Sequence, residues 1–180
     1  MRDLKKSLWI LPFVGVVVCT IALFTPAAFF ENRDWNHTIF NWIWGYYYDR
    51  VNSIVYQRII VVNSFYSDPL QLLSSVIFSI IIIICIGIIG LSAYKHRKDF
   101  KNGIIKKKYS LIPALVIIIS VITWMITMEI AELAIYDLSM WERYTPNFGV
   151  IGMFLGSILI ISGFVLIRKY GLGDRNLISE

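Results

Sequence analysis

Cysteine is nearly missing from these 180 residues: only Cys19 and Cys85 occur, both inside apolar runs where a thiol behaves as a small hydrophobe. No disulfide framework follows from them, and neither has a second ligand type at metal-site spacing. Histidine is equally scarce, and His37 and His96 fall in segments that the charge pattern assigns to opposite faces of a membrane, so one chain cannot pair them. Charged residues make up 16% of the chain against 57% hydrophobic, too apolar a balance for a water-soluble domain of this length. No nucleophile elbow, phosphate loop or metal signature appears. The chain reads as a non-enzymatic protein with no cofactor and no metal.

What the sequence has instead is long apolar runs, at 8–25, 72–93, 111–133 and 148–168. About 20 helical residues at roughly 1.5 Å each match a hydrocarbon core of about 30 Å. The expectation is an all-α membrane protein, a four-transmembrane-helix bundle with a folded aromatic extracellular cap. Residues 1–180 then form a single tetraspan domain, with outer loops 26–71 and 134–147 and an inner loop 94–109. The first run begins after Arg2, Lys5 and Lys6 and ends in Thr25-Pro26-Ala27-Ala28, which also has the form of a secretory signal with a small-residue cleavage site. Its apolar stretch exceeds the usual core of about 7–15 residues, which favours a retained span; cleavage would leave three.

Charge sets the orientation. Every lysine and arginine except Arg33, Arg50, Arg58 and Arg143 lies in the N-terminus, the 94–109 loop or the tail, while most acids lie in the other loops or, as Glu129 and Glu132, at the outer end of the third run. Under the positive-inside bias both termini are cytoplasmic, and a multi-pass place in the cell membrane follows as the default. The net charge of +5 comes from this sorting, so nucleic acid is not an expected partner. Lys95, Arg97, Lys98, Lys101, Lys106, Lys107 and Lys108 are candidates for holding anionic lipid headgroups, at about 1 kcal/mol each near the surface. The same charges would also fix topology during insertion.

The 26–71 loop is too aromatic to lie open to water, so it must fold on itself, on the helix ends or at headgroup level. Trp35, Trp42, Trp44, Tyr46, Tyr47 and Tyr48 are its interaction candidates, because aromatic side chains are favoured anchors in protein interfaces. Tyr46 to Tyr48 and Ile54 to Val62 have the aromatic and β-branched content of strands. Asn41, Gly45, Asp49, Asn52, Ser53 and Gln57 recur at helical spacing and support an interfacial helix instead. Both readings stay open. Asn36-His37-Thr38 is a glycosylation sequon on the expected outer side.

Glu129 and Glu132, spaced i, i+3 near the outer end of the third run, are the candidates for an ion or proton site, with Asp137 beyond them. Two close carboxylates raise each other's affinity for a proton, which suits a small transporter or channel subunit. The structural reading is that they anchor the outer cap to the helix through hydrogen-bonded ion pairs. Gly149, Gly152 and Gly156 in the fourth run permit close helix packing, with Gly87 and Gly90 of the second as a facing groove. A homo-oligomer or a membrane-protein partner are the further packing options beside the lipid bilayer. Gly171-Leu172-Gly173-Asp174 spells the pattern of intramembrane aspartyl proteases, but the Tyr136-Asp137 pair falls on the opposite face, so it reads as a helix stop.

The order of parts resembles the claudin/PMP22-like four-span superfamily. Phe24-Thr25-Pro26 closes the first span as in several members, Trp35, Trp42 and Trp44 occupy the region of that family's loop tryptophans, and Tyr144-Thr145-Pro146-Asn147-Phe148-Gly149 leads into a Gly-rich fourth span. Claudins place Gly-Leu-Trp before two loop cysteines; here the segment reads Trp42-Ile43-Trp44-Gly45 without either cysteine. The resemblance implies a small outer β-sheet on a left-handed four-helix bundle, and roles in adhesion, paracellular barriers or channel regulation.

Overall fold

The computed structural model describes residues 10–32, 37–53, 58–95 and 107–171. Trp35, Asn36, His96, Arg97, Lys98, Lys101, Lys106 and the Leu172-Gly173-Asp174 segment lie outside them. The elements run α1 (Ile10–Phe24), β1 (Ala28–Asn32), β2 (His37–Asn41), β3 (Tyr46–Ser53), β4 (Arg58–Phe65), α2 (Pro69–Lys95), α3 (Lys107–Tyr136), α4 (Met140–Arg143), β5 (Thr145–Pro146) and α5 (Phe148–Gly171).

Three stretches, Pro69–Lys95, Tyr109–Ile135 and Phe148–Lys169, are long and apolar enough to cross a bilayer, which marks a membrane protein. α1 is equally apolar but has 15 described residues, about 22 Å of helix at 1.5 Å per residue. Its end is set by Thr25, whose hydroxyl and amide both donate to the Ala22 carbonyl, and by Pro26 beyond. α2 begins before the apolar run. Asp68 caps it by accepting from the Gln71 amide at 2.9 Å, with Pro69 at the first helical position, where a missing N–H costs nothing. α3 stops at Asp137, which takes a left-handed φ of 54° and donates its amide to Leu133 O.

α1 packs on α5, α2 on α3, and the two pairs meet through α3–α5 and α1–α2 contacts. Apolarity does not choose the inward faces, because these helices are apolar nearly all round. Small and polar residues do. On α2 the buried positions are Gln71, Ser74, Ser75, Ser79, Ile82, Cys85 and Ile89, a helical stripe, while Ile80, Ile83 and Ile84 point outward. The fully buried Trp124 of α3 donates its indole N–H to Ser75 Oγ at 2.9 Å, satisfying both groups between the helices.

The α1–α5 contact is closer still. A Cβ on Gly156 would collide with Cys19 Sγ and the Gly15 carbonyl, and one on Gly15 would lie 2.5 Å from Gly156 O. Gly149, Gly152 and Gly156 thus pack inside the chain, as their spacing suggests. The facing groove is a correction: Gly87 has nothing within 4 Å and Gly90 only Val16 at 3.7 Å, so Gly15, Cys19 and Ala22 of α1 supply it.

The strand reading of the aromatic segment holds, and with it the all-α expectation is amended. β4-β3-β2-β1-β5 form one antiparallel sheet at one end of the helices. β5 is only Thr145–Pro146, and its proline sits on the sheet edge, where a missing donor is tolerated.

Candidate functional site

Among the described residues, backbone hydrogen bonds at one corner and the packing of a hairpin tip fix the sheet to the helices. Pro26 and Ala27, between α1 and β1, accept from the amides of Gly149 and Asn147 at 2.8 Å each, and Ala27 donates to Asn41 O at 2.6 Å. The hairpin joins β2 to β3. Trp42 O accepts from Gly45 N and Trp42 N donates to Tyr46 O, a three-residue loop that ends in a left-handed glycine, Gly45 at φ 91°. Its tip buries Ile43 completely, rests Gly45 on Leu72 and Ser75 of α2, and sends the Trp42 indole N–H to Phe24 O at 3.1 Å.

Pairing register then decides which aromatics share a face, since successive strand residues alternate sides. Phe29, Phe40 and Tyr48 are direct partners across β1, β2 and β3, and Tyr46 opposes Phe65. Their rings join with the hairpin tryptophans into one ladder. Phe29 and Phe40 lie 5.0 Å apart, Phe40 and Trp42 6.4 Å, Trp42 and Tyr46 5.4 Å, Trp44 and Tyr46 stack at 5.2 Å, and Tyr46 and Phe65 stand 5.8 Å apart. Of the candidate residues, Trp42, Trp44, Tyr46 and Tyr48 come together on this face. Tyr47 is turned the other way, stacked on the buried Tyr66 at 6.1 Å against the helices. Phe40 and Phe65 belong to the face although they were not among the candidates; period-2 spacing from Trp42 and Tyr46 was the signal for Phe40, whereas Phe65 needed the β4 register.

The opposite face carries polar groups. His37 Nε2 lies 2.8 Å from Asp49 Oδ1, linking β2 and β3, and the His37 ring meets Phe30 edge-on. The Arg143 guanidinium sits 5.5 Å from the Phe30 ring centre and 5.8 Å from that of Tyr144. Burial, reinforced by the Glu132 carboxylate, pushes the Tyr144 phenol up to about 12, against the opposing pull of Arg143 and Asn41. Tyr66 is also raised well above the ordinary phenol value, by burial first and then by Tyr144 and Glu132. Both phenols are therefore neutral throughout the physiological range.

Glu129 and Glu132 do not face a shared space; each is committed to a different neighbour. Glu132 Oε1 accepts from Gln71 Nε2 at 3.0 Å, tying α3 to α2. Glu129 Oε2 accepts from the amides of Met140 and Trp141 at 2.9 and 3.3 Å, capping the first turn of α4 with a carboxylate. The expected ion pairs to the outer cap are not what these carboxylates make among the described residues: Glu132 bonds an amide side chain of α2 and Glu129 the backbone N–H groups of α4. Glutamine keeps an acceptor oxygen at both positions, so Glu129→Gln and Glu132→Gln are each expected to cost under about 1 kcal/mol. Glu132→Leu strands the Gln71 amide and is expected to cost about 1–3 kcal/mol. Unfolding in mild detergent checks this; a glutamine variant that unfolds as readily as Glu132→Leu would assign the stability to charge instead.

No family model matches the chain, and no curated protein matches it in sequence.

Proposed function

We propose that this chain is a non-enzymatic four-span protein of the cell membrane, termini in the cytosol, whose sheet makes lateral or cell-to-cell contacts with other proteins through its aromatic face. One observation carries this reading: the ring ladder from Phe29 to Phe65 is only half covered, with Phe65 53% exposed at its edge. Rigid aromatic groups offer large contact area at low entropic cost, which is why they dominate interface energetics. A fourth span is supported by α1, whose glycine and cysteine backbone runs in contact with α5. The order of parts, similar to claudin/PMP22-like proteins, supports a contact role of the same kind. The hydrogen bonds made by Glu129 and Glu132 favour an anchoring role for them over an ion path.

Crosslinking in native membranes tests the proposal. Phe65→Glu and Tyr48→Glu place a charge on the face without touching the helix anchors. Each is expected to lower recovery of the crosslinked species about tenfold or more, the scale of a hot-spot residue, with thermal unfolding little changed. A chain that is strictly monomeric in mild detergent and crosslinks to nothing would sink the reading.

A further inference from the structure

At the end of the helices remote from the sheet, α2 and the start of α3 enclose a groove of about 260 Å³ lined by Ile88, Leu91, Ser92, Lys95 and Tyr109. The four α2 residues recur at i, i+3, i+4 and i+7, which places them on one stripe of the helix. They are graded along it. Lys95 stands exposed at the mouth, Ser92 and Tyr109 are half-buried beside it, and Leu91 and Ile88 form the apolar seat. From Lys95 to Ile88 the helix descends about 10 Å, the distance over which a leaflet passes from headgroup to acyl chain. We infer that this groove binds one anionic phospholipid, its headgroup phosphate on Lys95 with the hydroxyls of Ser92 and Tyr109 beside it, its glycerol end and upper acyl chain on Leu91 and Ile88.

Charge complementarity selects this occupant. Lys95 is the one charged side chain among the residues that line the groove, and in sequence the segment joining the two helices is basic, with Asp99 its single acid. Leu91 is 71% and Tyr94 84% exposed on the same turn, surface that a leaflet covers and water would not. The inference rests on the proposed membrane placement and adds a specific lipid site to it.

The test uses the full chain purified in neutral detergent and titrated with phosphatidylglycerol or phosphatidylcholine, adducts being counted by native mass spectrometry. Phosphatidylglycerol is expected to bind more tightly than phosphatidylcholine. Lys95→Gln should weaken phosphatidylglycerol about fivefold and leave phosphatidylcholine unchanged. Ser92→Trp, which fills the groove, should weaken both lipids. Arg168→Gln removes the same charge from the last turn of α5, outside the groove, and should change neither. Equal binding of the two lipids, equal weakening by Lys95→Gln and Arg168→Gln, or adducts confined to dimers, as when a second copy fills the groove, would each overturn the inference. Because detergent has no sides, the outcome is independent of orientation; amine labelling of sealed cells tests the orientation separately.

Discussion

Trp124→Ala is expected to destabilise the protein by about 3–5 kcal/mol, the range for truncating a fully enclosed large aromatic residue. Trp124 has no exposed surface, holds Ser75 of α2 through its indole N–H, and meets the Trp141 ring edge-on at 6.4 Å. In a bilayer the usual transfer term is weak, because lipid chains are as apolar as the core. The cost is therefore packing: an enclosed space that lipid cannot enter, lined by atoms that lose their dispersion partners. Two controls divide it. Trp124→Phe keeps most of the ring and leaves the Ser75 hydroxyl without its donor, for about 1 kcal/mol beyond the lost volume; Ser75→Ala leaves the indole N–H buried and unpaired, for about 1–3 kcal/mol. Detergent-titrated unfolding measures all three. A Trp124→Ala variant within about 1 kcal/mol of the parent would mean that α2 and α3 do not enclose this ring.

The positions of α2, α3 and α5 were legible because bilayer-length apolar runs have few alternatives, and their ends needed only local chemistry such as the Asp68-Pro69 start. The sheet was less so. Tyr46 to Tyr48 and the run up to Val62 fit strand or interfacial helix about equally from composition, and what decides between them is pairing across β2, β3 and β4, which is non-local. The same gap explains the misplacement of Tyr47 among the surface candidates: its side is set by register with Asn41 and Ser64, and a strand's face cannot be read until a partner is known. β5 was invisible, since two residues ending in proline have no pattern. Glu129 and Glu132 were legible as a pair at a helix end but not in their partners, because Gln71 and the α4 amides arrive from elements whose placement depends on the packed whole. The groove facing the α5 glycines was assigned to Gly87 and Gly90 by residue type. Gly15 was overlooked because a lone glycine in a Val-rich run gives no small-xxx-small pair of its own.

That glycine contact leads to the second large effect, at the joint where helices and sheet meet. A Cβ on Gly149 would stand 2.7 Å from each of three backbone atoms, Ala27 Cα, Pro26 O and Thr25 O. Flexible side chains could swing aside; backbone cannot, and this backbone is held by Gly149 N to Pro26 O, Asn147 N to Ala27 O and Ala27 N to Asn41 O. Gly149→Ala must therefore push α5 away from the α1–β1 corner, lengthening bonds that also carry the β1–β5 pairs Ala28 with Pro146 and Phe29 with Thr145. Overpacking of this kind costs about 1–3 kcal/mol, and the upper end is expected because none of these three backbone atoms can yield alone. Gly87→Ala is the matched control: a Cβ there meets nothing within 4 Å, and alanine is the better helix former by about 1 kcal/mol, so that variant is expected to be neutral or slightly stabilised. The difference between the two in the same unfolding assay isolates the joint from glycine's generic cost in helices. It also bears on the aromatic face, since the ladder begins at Phe29, two residues beyond Ala27 of this corner. A Gly149→Ala protein that unfolds like Gly87→Ala would mean that the corner is looser than these distances require and that the sheet is not held at a fixed angle to the helices.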